Sequence, residues 1–266
     1  MYSEVDDFNE KKAAMLAMDQ RLDAAGMRVD FSSARALEIG GAGGIFGGLM
    51  AQRMKNVIVT DIVHHQAVYG GEFSKLLAEK FSRNGQTLPL SKIEFQYADA
   101  MELPFRDNWF DFLFSLNAFE HIPDPIAALT EAVRVTKPGG LIYLSFDPVW
   151  TADTGNHFSE YVRDPWQHLL KSTEAFCEEM KANGANLEQI NDFVRGLNRK
   201  PASTYEVDIP AKLSKLGVFE FKKSSWSGCV NPASEKHENL NLAASVLGCK
   251  SSDLLIRGFS FCIKKS

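Results

Sequence analysis

The sequence predicts an α/β fold, a doubly wound and mostly parallel sheet of seven strands. Strand and helix patterns alternate between residues 36 and 146, as expected when parallel strands are joined by crossover helices. The apolar runs Val57–Val59 and Phe112–Phe114 fit strands covered on both faces. A glycine cluster, Gly40–Gly44, follows the first strand, where such sheets commonly form a ligand cradle.

Each element follows from local periodicity. A leading helix is expected from Phe8 to Gly26, since Met15, Met18 and Leu22 recur at helical spacing and Gly26 suits a helix C-terminus. The next predicted strands are 36–40, 56–62, 93–97, 110–116 and 141–146, and the helices between them are 45–54, 68–83 and 124–135.

The alternation stops after Asp147. Residues 148–212 are rich in aromatic side chains and hold two helical patterns without a clear strand. This insertion is either a helical cover for the core or a lid over a substrate pocket. Two strands, 218–226 and 254–264, with a helix at 233–247 between them, then suit an antiparallel hairpin at the sheet edge. We therefore divide the chain into 1–147, the cofactor-binding half with its leading helix, the lid at 148–212, and the closing strands at 213–266.

Composition excludes several function classes. The chain has 266 residues, 45% of them hydrophobic, and a net charge of -5, so it lacks the basic footprint of a nucleic-acid-binding protein. The four cysteines are dispersed and lack zinc-site spacing. The acidic start lacks a signal-peptide pattern, and no segment is apolar enough to insert into a membrane. We expect a cytoplasmic protein with no metal.

The glycine loop points to a cofactor. Glu38 and Ile39 end the first strand, and glycines then allow close approach of the backbone to a ligand. The helix from Ile45 would direct its N-terminus at that ligand. Similar turns serve NAD, FAD and phosphates, so the loop alone leaves the cofactor open.

Three further strand ends carry polar groups at the same edge of the sheet. Asp61 is spaced to accept hydrogen bonds from both hydroxyls of a ribose, although a helix N-cap is the alternative. Asp99 suits the exocyclic amine of an adenine, with Ala100 and Met101 along the ring, although a plain turn residue would look the same. The segment 117–122, beginning with Asn117, would lie beside the reactive end of the cofactor.

After the glycine loop, the chain carries further motifs in this order: Asp99 to Phe105, Phe110-Asp111, Glu120 to Pro125 and Arg134 to Gly140. From Leu37 to Phe146 the chain resembles the class I, Rossmann-like methyltransferases that depend on S-adenosylmethionine, and in particular the methyltransferase type 11 group. The resemblance implies S-adenosylmethionine as cofactor and S-adenosylhomocysteine as product. It assigns Glu38 and the 40–44 loop to the amino-acid part, Asp61 to the ribose, Asp99 with Ala100 to the adenine, and Asn117 to the methionine part. The predicted cofactor set is Glu38, Gly40, Gly41, Ala42, Gly44, Asp61, Ile62, Asp99, Ala100, Met101, Asn117 and Ala118.

Ala42 departs from the family pattern, because it stands where the family loop has its middle glycine. We expect the backbone there to keep a conformation that alanine tolerates, with cofactor affinity reduced.

The acceptor is expected to be a small molecule such as a sugar, a phenolic compound or another secondary metabolite, methylated on oxygen or nitrogen. Asn117 is not followed by the Pro-Pro-Tyr run of adenine-amine methyltransferases, and the acids of a magnesium-dependent catechol enzyme are not evident. An oxygen nucleophile usually needs a base. His157 is the preferred candidate and His121 the next, while His168 lies in a helical pattern and suits packing.

Two other functions stay open. A non-catalytic S-adenosylmethionine-binding partner or regulatory protein would keep the fold without turnover, with Ala42 as the hint. An NAD-dependent oxidoreductase fits less well, because its glycine fingerprint is incomplete here. We expect a monomer or a homodimer.

Overall fold

The computed structural model describes residues 4–266, so Met1–Ser3, the start of the predicted 1–147 unit, lie outside the described residues. A single seven-stranded sheet has the strand order β3-β2-β1-β4-β5-β7-β6. Its strands are β1 (Arg35–Ile39), β2 (Asn56–Asp61), β3 (Ile93–Tyr97), β4 (Phe110–Leu116), β5 (Thr136–Phe146), β6 (Glu220–Ser227) and β7 (Ile256–Lys264). β1 to β5 pair in parallel, and β7 runs antiparallel between β5 and β6. The predicted fold class and the antiparallel edge pair are thus confirmed.

The helices are α1 (Glu4–Ala24), α2 (Ile45–Ala51), α3 (His65–Val68), α4 (Phe73–Arg83), α5 (Pro125–Val135), α6 (Gln167–Leu170), α7 (Thr173–Ala182), α8 (Leu187–Arg195), α9 (Ile209–Lys215), α10 (Glu238–Leu247) and α11 (Ser251–Leu254). The leading helix is confirmed, and Gly26 follows it in the left-handed conformation, with φ 70°. Among residues 4–266, no helix combines the length and the apolar character needed to cross a bilayer.

Several predicted boundaries are wrong for identifiable reasons. The single helix expected at 68–83 is two helices, because Gly70 and Gly71 take φ values of 58° and 88° between α3 and α4. The helix expected at 45–54 ends at Ala51. Residues 233–247 split at His237 into a 3-10 turn and α10. β5 begins five residues early, and its register with β4 shifts between Phe110 and Phe112, near Gly139, which takes φ 76°.

Apolar side chains form a core on each face of the sheet. One core packs α5 and α9 against residues such as Leu113, Ile142 and Phe261. The other packs α1, α2 and α4 against residues such as Phe112, Phe114 and Tyr143. In the 148–212 segment, which contains no strand, Val162, Phe176, Met180 and Phe193 form a smaller cluster of their own. The sheet is thus covered on both faces, and the ends of its parallel strands carry the loops of the site.

Candidate functional site

A cavity of about 390 Å³ opens at the carboxyl ends of β1, β2, β3 and β4. Its wall includes nine residues of the predicted cofactor set: Gly40, Ala42, Asp61, Ile62, Asp99, Ala100, Met101, Asn117 and Ala118. The remaining wall residues are Ile39, Thr60, Ala98, His121, Ile122 and Pro123. A cavity of this size with few polar groups is typical of a small-molecule or cofactor site.

Backbone geometry brings the β1 and β4 loops together at this cavity. Gly40 has φ 70°, and a Cβ built on it would lie 2.3 Å from Ala118 Cβ, so glycine is required there. The amides of Gly40 and Gly41 both donate to Thr60 O, at 2.9 and 3.0 Å, which turns the loop back over β2. Asn117 also adopts a left-handed conformation, with φ 54°, and its amide donates to Ser145 O at 2.8 Å.

Asp61 fixes the loop that faces it. Its Oδ2 accepts from the Ala42 amide at 2.9 Å, and its Oδ1 accepts from the Val63 amide at 2.8 Å. His65 Nε2 lies 3.7 Å from Asp61 Oδ1 and adds positive charge when protonated. Each carboxylate oxygen keeps a second lone pair, so Asp61 can still accept from a ligand's hydroxyls.

Asp99 lies across the cavity from the glycine loop. Its Oδ1 accepts from the Met101 amide at 2.8 Å, which closes a tight turn after β3. The alternative reading as a turn residue therefore describes part of its role. Because Asp99, Ala100 and Met101 all line the cavity, the turn also presents a carboxylate beside an apolar surface.

Three predicted contact residues, Glu38, Gly41 and Gly44, are not part of the cavity wall. Strand alternation puts Glu38 on the α2 face of β1, where its carboxylate accepts from the Gly47 amide. The faces of Gly41 and Gly44 are also occupied, since a Cβ on them would meet Val59 at 2.1 Å and Leu77 at 2.7 Å. Their contact with the cofactor stays a prediction.

The backbone conformation expected for Ala42 is wrong, because its φ is 37°, in the left-handed region that alanine rarely adopts. The turn over Thr60 O and the bond to Asp61 hold it there. We expect Ala42→Gly to raise the free energy of unfolding by about 1 kcal/mol in urea titrations, since glycine removes this strain. The matched control is Ala175→Gly in α7, exposed and helical, which should lower stability by about 1 kcal/mol. A loss of stability in Ala42→Gly would contradict the strain.

Glu38 is 1% exposed, and burial, together with the charge of Asp61, raises the pKa of its carboxyl to about 8. A carboxyl whose pKa is higher in the folded state binds more protons there, so stability falls as pH rises from about 4.5 to about 8. Burial also raises the pKa of Glu120 well above its usual range, in the same direction.

In Glu38→Gln, we expect a shallower decline of unfolding free energy across this pH window than in the wild type. Urea titrations at several pH values measure it. Glu188→Gln, at an exposed position in α8, is the control and should keep the wild-type slope. Identical slopes in all three proteins would contradict a buried, neutral Glu38.

The two predicted histidine bases differ in placement. The rings of His121 and His157 meet edge to face, with centroids 5.1 Å apart, but only His121 lines the cavity. His121 Nδ1 lies 2.6 Å from Gly196 O. A carbonyl oxygen only accepts, so Nδ1 carries the proton, and Nε2 of the neutral ring keeps a free lone pair.

His157 lies behind His121. Its Nε2 is 3.3 Å from Pro148 O, and desolvation, with the neighbouring His121, lowers its pKa to about 4. His168 is buried in α6 with Nε2 2.7 Å from Trp150 O, and burial lowers its pKa to about 4, which confirms the packing role.

Sequence reasoning missed the segment that holds His121. Gly196 O accepts from His121, and Asn198 Nδ2 donates to Phe119 O and Ile122 O, at 2.7 and 3.0 Å. These bonds tie the end of α8 to the turn after β4. They join residues more than 70 positions apart, so no local pattern indicates them. The wall residues Ile122 and Pro123, by contrast, directly follow His121 in a motif that the sequence analysis identified.

Known proteins resemble this chain. Residues 37–144 match the methyltransferase domain family. An uncharacterized methyltransferase of Mycobacterium tuberculosis is 48% identical over 63 residues, 24% of this chain and 24% of the relative. A demethylmenaquinone methyltransferase of Staphylococcus saprophyticus is 39% identical over 79 residues, 30% of this chain and 33% of the relative. The alignments thus span only a quarter to a third of these relatives.

Solved structures share the fold over nearly the whole chain. The YcgJ protein of Bacillus subtilis, 16% identical, superposes with a TM-score of 0.52 over 95% of this chain and 99% of its own. A phosphoethanolamine N-methyltransferase of Haemonchus contortus, solved with phosphomonomethylethanolamine and S-adenosylhomocysteine, is 17% identical, with a TM-score of 0.50 over 98% of this chain and 53% of its own. Residues 37–144 thus match the methyltransferase domain family, and the seven-stranded sheet shares its fold with these solved structures.

Proposed function

We propose that this protein is an S-adenosylmethionine-dependent methyltransferase that methylates an oxygen or nitrogen atom of a small-molecule acceptor. The observation that carries the proposal is the cavity in which Asp61, Asp99 and Asn117 meet around the glycine loop. The Haemonchus structure, which contains S-adenosylhomocysteine, supports the choice of cofactor. The names of two relatives, which refer to demethylmenaquinone and phosphoethanolamine, support a small acceptor.

The residues present fit the cofactor. Asp61 retains acceptor capacity for the two ribose hydroxyls, and Asp99 keeps an oxygen for an exocyclic amine beside apolar Ala100 and Met101. Asn117 and the loop at Gly40 line the opposite part of the cavity, where the amino-acid end belongs. When bound, the cofactor supplies an activated methyl group on a positively charged sulfur.

The protein's own part in the reaction is positioning and proton removal. We assign the base to His121 in preference to His157. His121 faces the cavity, and its bond to Gly196 O leaves Nε2 free to take the proton of an acceptor O–H or N–H. The His157 ring packs against the His121 ring. Because its pKa is lowered to about 4, His157 stays uncharged near neutral pH and does not take that proton. The 148–212 segment, which supplies Gly196, acts as the lid of the site.

Calorimetric titration with S-adenosylmethionine, S-adenosylhomocysteine and NAD tests the proposal. We expect both sulfur compounds to bind with one site per chain and NAD to give no saturable signal. Release of S-adenosylhomocysteine across a panel of acceptors then separates an enzyme from a non-catalytic binder. Binding of NAD alone would overturn the assignment of the cofactor.

A further inference from the structure

A second cavity, of about 540 Å³, lies between the 148–212 segment and the C-terminal helices. It has no wall residue in common with the cofactor cavity. Most of its wall is apolar and includes Trp150, Val207, Leu247, Leu254 and Ile256. Its volume is in the range of small-molecule sites, and apolar walls of this kind bind apolar bodies.

Arg199 supplies a positive charge to this wall. Its guanidinium carbon lies 5.0 Å from the ring centroid of Trp150 and 5.1 Å from that of Phe193. The guanidinium also donates hydrogen bonds to Thr173 Oγ1 and Phe193 O. These partners are all neutral, and within residues 4–266 no carboxylate comes within 4.0 Å of it. Its Nε is buried and has no hydrogen-bond partner there. A cation in this setting favours an anionic partner, since an unpaired buried donor is costly.

The acids in the same wall leave this charge largely uncompensated. Glu206 is paired with Lys223 through Oε1, while its buried Oε2 has no partner in the described chain. Asp253 is exposed and accepts from the Lys250 amide at the start of α11, where water screens its charge. The wall therefore offers a cation for an acid group and a free acceptor at Glu206 for an N–H or O–H.

We propose that this second cavity binds an apolar monocarboxylate carrying an N–H or O–H donor, with its carboxylate at Arg199 and its apolar body along Trp150 and Ile256. An N-acyl amino acid has this chemistry. The site is separate from the cofactor cavity, so it does not depend on the proposed methyltransferase function.

Calorimetry with N-octanoylglycine and its uncharged analogue N-octanoylglycinamide tests the site, because the two probes share chain and N–H and differ in the carboxylate. We expect one saturable site for the acid and at least about tenfold weaker binding of the amide, as expected for loss of a charged hydrogen bond. Arg199→Gln should weaken binding of the acid by at least about tenfold and leave binding of the amide unchanged. Lys200→Gln, the adjacent cation outside the cavity wall, is the matched control and should bind the acid normally.

Folding of Arg199→Gln is checked by thermal melting. Val207→Asp is the second variant, since Val207 is 59% exposed at the cavity wall and tolerates a polar side chain. The new negative charge should weaken binding of the acid more than binding of the amide. Three results would each overturn the proposal: equal affinity of the wild type for acid and amide, a loss of acid binding in Lys200→Gln as large as in Arg199→Gln, or no binding of the acid to the wild type.

Discussion

Asp61→Asn is expected to weaken S-adenosylmethionine binding at least about tenfold, because the variant loses the charge that strengthens hydrogen bonds from the ribose hydroxyls. Asparagine keeps one oxygen of similar position, so the bond to the Ala42 or the Val63 amide can persist. Asp61→Ala removes both acceptor oxygens and should lower the affinity for S-adenosylmethionine on the order of 100-fold. Part of this loss arises because the loop loses its hydrogen bonds to the carboxylate. Calorimetric titration measures both variants.

The control for this prediction is Asp208→Asn, at an exposed carboxylate that is not part of the cavity wall. It removes the same charge from the chain and should keep wild-type affinity. Thermal melting establishes that Asp61→Asn is folded. Wild-type cofactor affinity in folded Asp61→Asn would show that the carboxylate after β2 does not contact the ribose.

His121→Asn is expected to lower kcat by roughly 10² to 10⁴-fold while leaving cofactor affinity unchanged, the range typical of removing a general base. The asparagine amide nitrogen is near the position of Nδ1 and can still donate to Gly196 O, so the tie to the end of α8 is kept. Nε2, the atom proposed to take the proton, is lost. The measurement is release of S-adenosylhomocysteine with any acceptor that the panel identifies, together with calorimetry for the cofactor.

His157→Asn is the matched comparison, since it changes the neighbouring ring that does not line the cavity. We expect a much smaller loss of kcat in this variant. If His157→Asn were inactive and His121→Asn active, the base would be His157, as the sequence alone favoured.

Much of the site could be predicted because it depends on local order along the chain. Asp61, Asp99 and Asn117 follow parallel strands, and the ends of parallel strands meet at one edge of a sheet whatever their side chains are. The break in the 68–83 helix has a local signal in the adjacent Gly70 and Gly71, which both take positive φ, although the sequence analysis predicts one helix there.

The placement of Glu38 and the backbone conformation of Ala42 have a different origin. Strand alternation gives Glu38 one face of β1, but packing decides that α2 covers this face. The φ of Ala42 depends on bonds to Thr60 and Asp61 across the loop. The preference between His121 and His157 depends on Gly196, 75 residues away from His121 along the chain. Such contacts exist only once the chain has folded, so no local pattern could reveal them.

The position of β7 has a consequence for biosynthesis. β6 has no neighbour in the sheet other than β7, although about thirty residues separate the two strands along the chain. During translation β6 emerges from the ribosome first, and it has nothing to pair with until β7 follows and docks on β5. The parallel half with the loops of the cavity can therefore form earlier than the edge, leaving β5 briefly as an open template for pairing with other chains.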